Sequence, residues 1–308
     1  MSKAAIVWFR RDLRLVDNPA LDAALEQHQR VIPVYIHAGN EGEDWRDGAA
    51  SNWWLHHSLN ALAESLRKLG SRLILADSSN SLETLLQLAS QAGADHVYWN
   101  RLYEPHHIER DKAIKKALRE QSIEVSSFNS TLIHEPWEIA KNDGGPFRVF
   151  TPFWKACVSA GLSDSQCEAP EQMPAVNNRI RSVKLAELEL LPKIRWDKAF
   201  SDHWQPGEAG AHHSLDEFLE HAAGYYQDDR NRPDIMGTSR LSPHLHFGEI
   251  SPQQIIESTT HLVNTNSEKG IVTNTESFVR EIGWREFAYH LLYHFPYTVD
   301  RPLYERFD

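Results

Sequence analysis

Cysteine is almost missing: Cys157 and Cys167 are the only two in 308 residues. Two thiols cannot build a disulfide framework or a cysteine-based zinc site, and their scarcity fits a reducing, cytoplasmic setting. No run approaches the roughly 18 consecutive apolar residues that a membrane helix needs. The opening MSKAAIVWFRRDLR lacks the small-residue cleavage site of a secretory signal, so neither membrane insertion nor export is expected. Positive charge is also short: 32 Lys and Arg against 43 Asp and Glu give a net charge of −11. That argues against a general nucleic-acid coat and leaves only a local basic groove for such a partner. Finally, no G-x-G-x-x-G or G-x-x-x-x-G-K-[ST] follows any strand-like run, which argues against a dinucleotide held in the usual Rossmann manner. Tryptophan, by contrast, is plentiful at ten. Composition favours core anchors over stacking surfaces for flat ligands.

The first 130 residues alternate between two periodicities. Apolar, β-branched runs at 5–9, 31–36, 72–76, 96–99 and 123–128 read as buried strands. Pro33 is an uncomfortable residue for a central one. Between them lie helical patterns, opening at Asp17-Asn-Pro and covering 52–69, 81–91 and 108–120. This predicts an α/β, Rossmann-like parallel sheet of five strands, with ligands taken at the carboxyl ends. Residues 131–199 are rich in turn signals and read as an interdomain connector, partly helical around 153–159. Residues 200–308 read as all-helical. Ser214-x-x-Glu217 predicts a capping box, Ser242-Pro243 and Ser251-Pro252 predict two further starts, and 275–293 one long helix.

Three segments carry chemistry. In Trp8-Phe-Arg-Arg-Asp-Leu-Arg14, at the end of the first strand, Arg10, Arg11 and Arg14 could meet an anion or simply pair with Asp12 and Asp17. Gly237-Thr-Ser-Arg-Leu-Ser242 places a glycine, three hydroxyls and an arginine before a helix start. That suits a phosphate, although Ser242 alone would also serve as a cap. In Glu281-Ile-Gly-Trp-Arg285, a carboxylate and a large ring share one helix face. They suit a splayed-out base, which the ring stacks and the carboxylate reads. The plainer alternative is a Glu281–Arg285 pair with Trp284 in the core. Seventeen histidines suggest no metal: His290 and His294 have helical spacing but lack the glutamate of H-E-x-x-H.

Together, V-W-F-R-R-D-L-R-L-x-D-N-P-A-L, G-T-S-R-L-S-P-H-L-H-F-G-E-I-S-P and W-R-E-F resemble, in order and separation, the motifs of the DNA photolyase/cryptochrome family. Within it the resemblance is to the bacterial class I cyclobutane pyrimidine dimer photolyases. It implies an α/β antenna domain at 1–130, a connector at 131–199, and the N-terminal part of a helical FAD-binding domain at 200–308. Carried over by position, Tyr226, Thr238, Ser239, Arg240, Leu241, Ser242 and Arg285 would contact FAD, while Glu281 and Trp284 would face the flipped lesion. The implied activity is that of a deoxyribodipyrimidine photo-lyase: light-driven electron transfer from reduced FAD to a cyclobutane dimer in UV-damaged DNA, by a monomer. A folate or deazaflavin antenna is implied at the α/β domain or its interface. The surroundings of Glu281 and Trp284 favour repair of cyclobutane dimers over (6-4) photoproducts, and over a cryptochrome-like photoreceptor. A third reading, an α/β module holding a small nucleotide, is disfavoured by the missing phosphate loop. Family members run past this C-terminus, and no T-G-x-P-x-x-D-A segment is found, so the resemblance implies a truncated chain whose own activity does not follow from the family.

Overall fold

In the computed structural model, residues 4–39, 41, 47–162, 167–266, 268 and 270–307 are described. The apolar run Ala4–Phe9 forms β1, every residue of which is buried. A strand covered on both faces belongs in the middle of a parallel sheet, and there it lies, in the order β3-β2-β1-β4-β5. The others are β2 (Arg30–His37), β3 (Ile74–Asp77), β4 (Ala94–Asn100) and β5 (Glu124–Phe128), all parallel. Between them run α1 (Pro19–Gln27), α2 (Ala49–Lys68), α3 (Ser81–Ala92) and α4 (Pro105–Glu120), packed on both faces. β3 begins at Ile74, two residues later than the sequence suggests. Its pairing with β2 starts at Val34, so Pro33 faces no β3 residue and its missing N–H is not demanded there.

The connector forms α5 (Phe150–Ala160), then returns to the sheet. Met173 N–H donates to the Leu69 carbonyl and Val183 N–H to that of Leu75, both at 2.9 Å. Met173, Leu188 and Leu190 complete the core on one sheet face. The helical layer follows: α6 (Glu208–His221), α7 (Tyr226–Asp229), α8 (Ser242–Phe247), α9 (Pro252–Thr265) and α10 (Ile271–His294). The box at Ser251 and Gln254 forms as expected. The one expected at Ser214 does not. α6 starts earlier, because Glu249 accepts the Gly207 N–H at 2.7 Å and Glu208 accepts from Leu15 and Val16, which extends the helix toward its N-terminus. Ser242 is no cap either. It sits inside the first turn of α8, behind Leu241, with no side-chain cap bond.

One buried arginine closes the α/β layer onto the helices. Arg14 is 0% exposed. Its guanidinium donates to the carbonyls of Val16, Asp17 (2.5 Å), Ser130 (3.0 Å) and Gly248 (3.0 Å), so it joins the loop after β1, the connector and the end of α8. Gly248 must be glycine: its φ is +65°, and a Cβ would stand 2.0 Å from the Arg11 carbonyl oxygen. Beside it Leu13 N–H donates to the Phe247 carbonyl at 3.1 Å. The large apolar side chains exposed among the described residues, such as Met236, Tyr225 and Trp284, all lie at or beyond Trp137.

Gly248→Ala is expected to lower unfolding stability by about 2 kcal/mol or more. Denaturant titration reads this as a lower midpoint at unchanged slope. An unchanged midpoint would mean that the two layers are not closed at this point.

Candidate functional site

The glycine of Gly237-Thr-Ser-Arg-Leu-Ser242 has a packing cause. A Cβ there would lie 2.5 Å from the Asp229 carbonyl oxygen, so the loop can double back on α7 only with glycine. Arg240 then turns left-handed (φ 55°). Its guanidinium lies 3.9 Å over the Trp204 ring and donates to the His203 carbonyl at 3.1 Å. Thr238, Ser239 and Arg240 thereby line one open cavity of about 410 Å³ with His203, Trp204 and His213. Two hydroxyls and a fixed cation are a donor set that fits phosphate oxygens. Leu241 differs: its side chain is buried in the helical core with Tyr226. Ser242 is exposed.

The second constellation lies on α10. Glu281 does not pair with Arg285, as helical spacing allows; Arg230 takes it at 2.5 Å. Arg230 also lies over the Tyr226 ring at 5.6 Å, and burial, then the Glu281 charge, push the Tyr226 hydroxyl up. Arg285 turns the other way. It donates to the Thr131 carbonyl at 2.6 Å and lies over the Tyr289 ring at 5.0 Å. Trp284 is not in the core but 47% exposed. Its ring stacks on Phe150 at 3.7 Å and 10°. The plain alternative for this segment therefore fails in both halves, since the connector captures Arg285 and Phe150 holds Trp284 at the surface. Arg230 was legible as the residue one turn after Tyr226; Phe150 had no signal of its own.

The arginines after β1 are tied down. Arg10 pairs with Asp111 at 2.6 Å and donates to the Asn100 carbonyl; Arg11 pairs with Glu104 at 2.6 Å. A cavity of about 270 Å³ nonetheless opens at the carboxyl ends of β1 and β2, lined by Trp8, Arg10, Arg11, Tyr35 and Arg110 among others. The histidine pair on α10 serves the connector. His290 Nε2 accepts the Phe147 N–H at 3.0 Å, and His294 meets the Pro136 carbonyl at 2.9 Å. Among the described residues no group of His, Cys, Asp or Glu could hold a metal, and no helix is long and apolar enough to cross a membrane.

Between these groups sits Glu286, which sequence reading passed over inside W-R-E-F. It is buried, and one oxygen accepts the His134 N–H at 2.8 Å while the other has no partner. Burial pushes its carboxyl up to about 7, against the partial relief of backbone N–H bonds and the nearby Arg285 charge.

The sequence pattern described as DNA photolyase matches residues 5–175, and this chain belongs to that family. The deoxyribodipyrimidine photo-lyase of Agrobacterium fabrum is 45% identical, covering 98% of this chain and 62% of that protein. Cryptochrome-1 of Arabidopsis thaliana is 35% identical, covering 97% of this chain and 44% of its own length. A bacterial class III photolyase from Agrobacterium tumefaciens superposes with a TM-score of 0.93 at 43% identity, over 100% of this chain and 62% of that one. The expectation of class I is thereby corrected to a class III likeness: the three motifs mark the family and do not separate its classes. The chain spans less than two thirds of the length of each of these relatives.

A carboxyl held up at about 7 keeps its proton in the fold, whereas an unfolded one releases it near 4.5. The folded state then binds more protons, and stability falls as pH rises from about 4.5 to 7. Glu286→Gln removes this dependence. Relative to the unsubstituted protein it should gain up to about 3 kcal/mol between pH 4.5 and pH 8, measured by denaturant unfolding at both values. Parallel curves would show that Glu286 has the same proton affinity in the folded and unfolded states.

Proposed function

We propose that this chain is the lesion-facing and flavin-facing part of a light-driven repair enzyme that splits cyclobutane pyrimidine dimers in UV-damaged DNA. The observation that carries this is the surface of α10, where Trp284 offers an open ring face one turn from Glu281, with Arg230 alongside. A ring to stack on, a carboxylate to accept from polar base edges, and a cation for the backbone phosphate form a receptor for an extruded base. Arg230, paired with Glu281 at 2.5 Å, holds its carboxylate in one orientation. A carboxylate accepts only; a protonated acid would offer the wrong edge.

FAD is the cofactor of this reading. Thr238, Ser239 and Arg240 would hold its phosphates through their side chains, Ser242 would offer its exposed hydroxyl, and Leu241, whose N–H donates to Ser239 Oγ, would brace that loop. Tyr226 and Arg285 lie outside the cavity lined by Thr238, Ser239 and Arg240; in this reading they would face the rest of the flavin, one held by Arg230 and the other by Thr131. When bound, FAD supplies light-driven electron donation. The protein's residues hold that donor, extrude the base against Trp284 and exclude water. The cavity at the ends of β1 and β2, with its arginines and Trp8, is the proposed seat of an antenna, folate or deazaflavin in type. A monomer in the cytoplasm completes the reading. The second reading is a cryptochrome-like photoreceptor without repair, supported by the Arabidopsis relative.

The first measurement is near-UV and visible absorption of the purified chain, with flavin release on denaturation. The second is affinity for an oligonucleotide with one thymine dimer against its undamaged twin. The expected result is stoichiometric FAD and a preference for the dimer, which Trp284→Ala reduces at least tenfold, as loss of one stacked base implies. Flavin without dimer preference favours the photoreceptor; no flavin after reconstitution removes the cofactor assignment from this chain.

A further inference from the structure

Trp284 does not stand alone. Its ring is parallel to Phe150 (3.7 Å, 10°), and Phe150 is parallel to Trp154 (6.3 Å, 9°). Phe150 and Trp154 both belong to α5, on the connector, while Trp284 belongs to α10. The two helices can come this close because of Gly283: a Cβ there would stand 2.5 Å from the Trp154 ring. Phe287 closes the column from the side, 5.9 Å from Phe150 at 67°. Phe150 is itself buried, 8% exposed, so it cannot meet a ligand directly. Of the three stacked rings Trp284 is the most exposed, with Phe150 buried and Trp154 half-buried.

An exposed tryptophan on a bare helix samples several rotamers and must be ordered when a base arrives, which lowers affinity. Here the ordering is already done. We infer that Phe150 is a positioning residue for lesion recognition, holding the Trp284 ring flat and outward so that an extruded pyrimidine stacks on a pre-ordered surface. This rests on the reading of Trp284 as the stacking ring. It adds that the connector, not α10 alone, sets the affinity for the extruded base.

The test compares Phe150→Leu, Phe150→Tyr, Trp284→Ala and the double variant Phe150→Leu/Trp284→Ala, all in the full chain. Dimer-containing and undamaged oligonucleotides are titrated, and near-UV circular dichroism reports the ordered rings. Phe150→Leu is expected to weaken dimer binding about three- to tenfold, the range of one aromatic pair. Binding to undamaged DNA stays unchanged. The near-UV signal falls in Phe150→Leu as in Trp284→Ala, and Phe150→Tyr, which keeps the ring, restores both readouts. The double variant binds no worse than Trp284→Ala, since Phe150 acts only through that ring. Additive losses, or Phe150→Leu with parental dimer affinity, would overturn the inference and leave the proposed function standing. Unchanged binding by Trp284→Ala, or no dimer preference in the unsubstituted chain, would overturn both.

Discussion

The Arg14 guanidinium is the contact on which the arrangement of layers depends. A buried cation must be met on all sides, because an unmatched one costs several kcal/mol. Here the matching groups are mostly backbone carbonyls drawn from the loop after β1, from Ser130 and from Gly248. Each of those segments is therefore fixed relative to the sheet by a requirement of solvation as well as by apolar packing. The consequences run outward. With Gly248 fixed, Glu249 is placed to accept from the Trp54 indole and the Gly207 N–H, which seats α2 against the start of α6. With Ser130 fixed, the following residues lie where Arg285 reaches the Thr131 carbonyl and Glu286 meets His134. The face of α10 that carries Glu281 and Trp284 is oriented by this chain of contacts.

Much of the fold was legible because the relevant signals are local. Five apolar runs separated by amphipathic stretches yield a five-stranded parallel sheet by periodicity alone. Asn18-Pro19 and the Ser251/Gln254 box each encode a helix start within a few residues. The start misplaced at Ser214 has a distant cause. Ser214 has the right chemistry for a cap, but Glu208 accepts from Leu15 and Glu249 from Gly207, and α6 begins ahead of it. No local pattern reports a partner nearly two hundred positions away.

The candidate site divides in the same way. Residue types at Thr238, Ser239, Arg240, Glu281 and Trp284 were readable from spacing and from the motifs they make. Which neighbour each one touches was not. Helical geometry suggested Arg285 for Glu281, and the tertiary fold supplied Arg230 instead. It suggested a core position for Trp284, and the arrival of α5 left that ring half outside. Glu286 was invisible as a titrating group, because its unusual proton affinity comes from burial, which a sequence of mixed charge around W-R-E-F does not advertise.

The distribution of exposed apolar side chains has a colloidal consequence. The α/β layer is coated with charge, while the large apolar groups exposed among the described residues lie on the connector and helices. Contact with other molecules through apolar surface therefore draws on the connector and helices and not on the strands and helices of the sheet layer. The cavity at the strand ends takes Phe247 of α8 into its wall, so access to it is shared between the sheet layer and the helices.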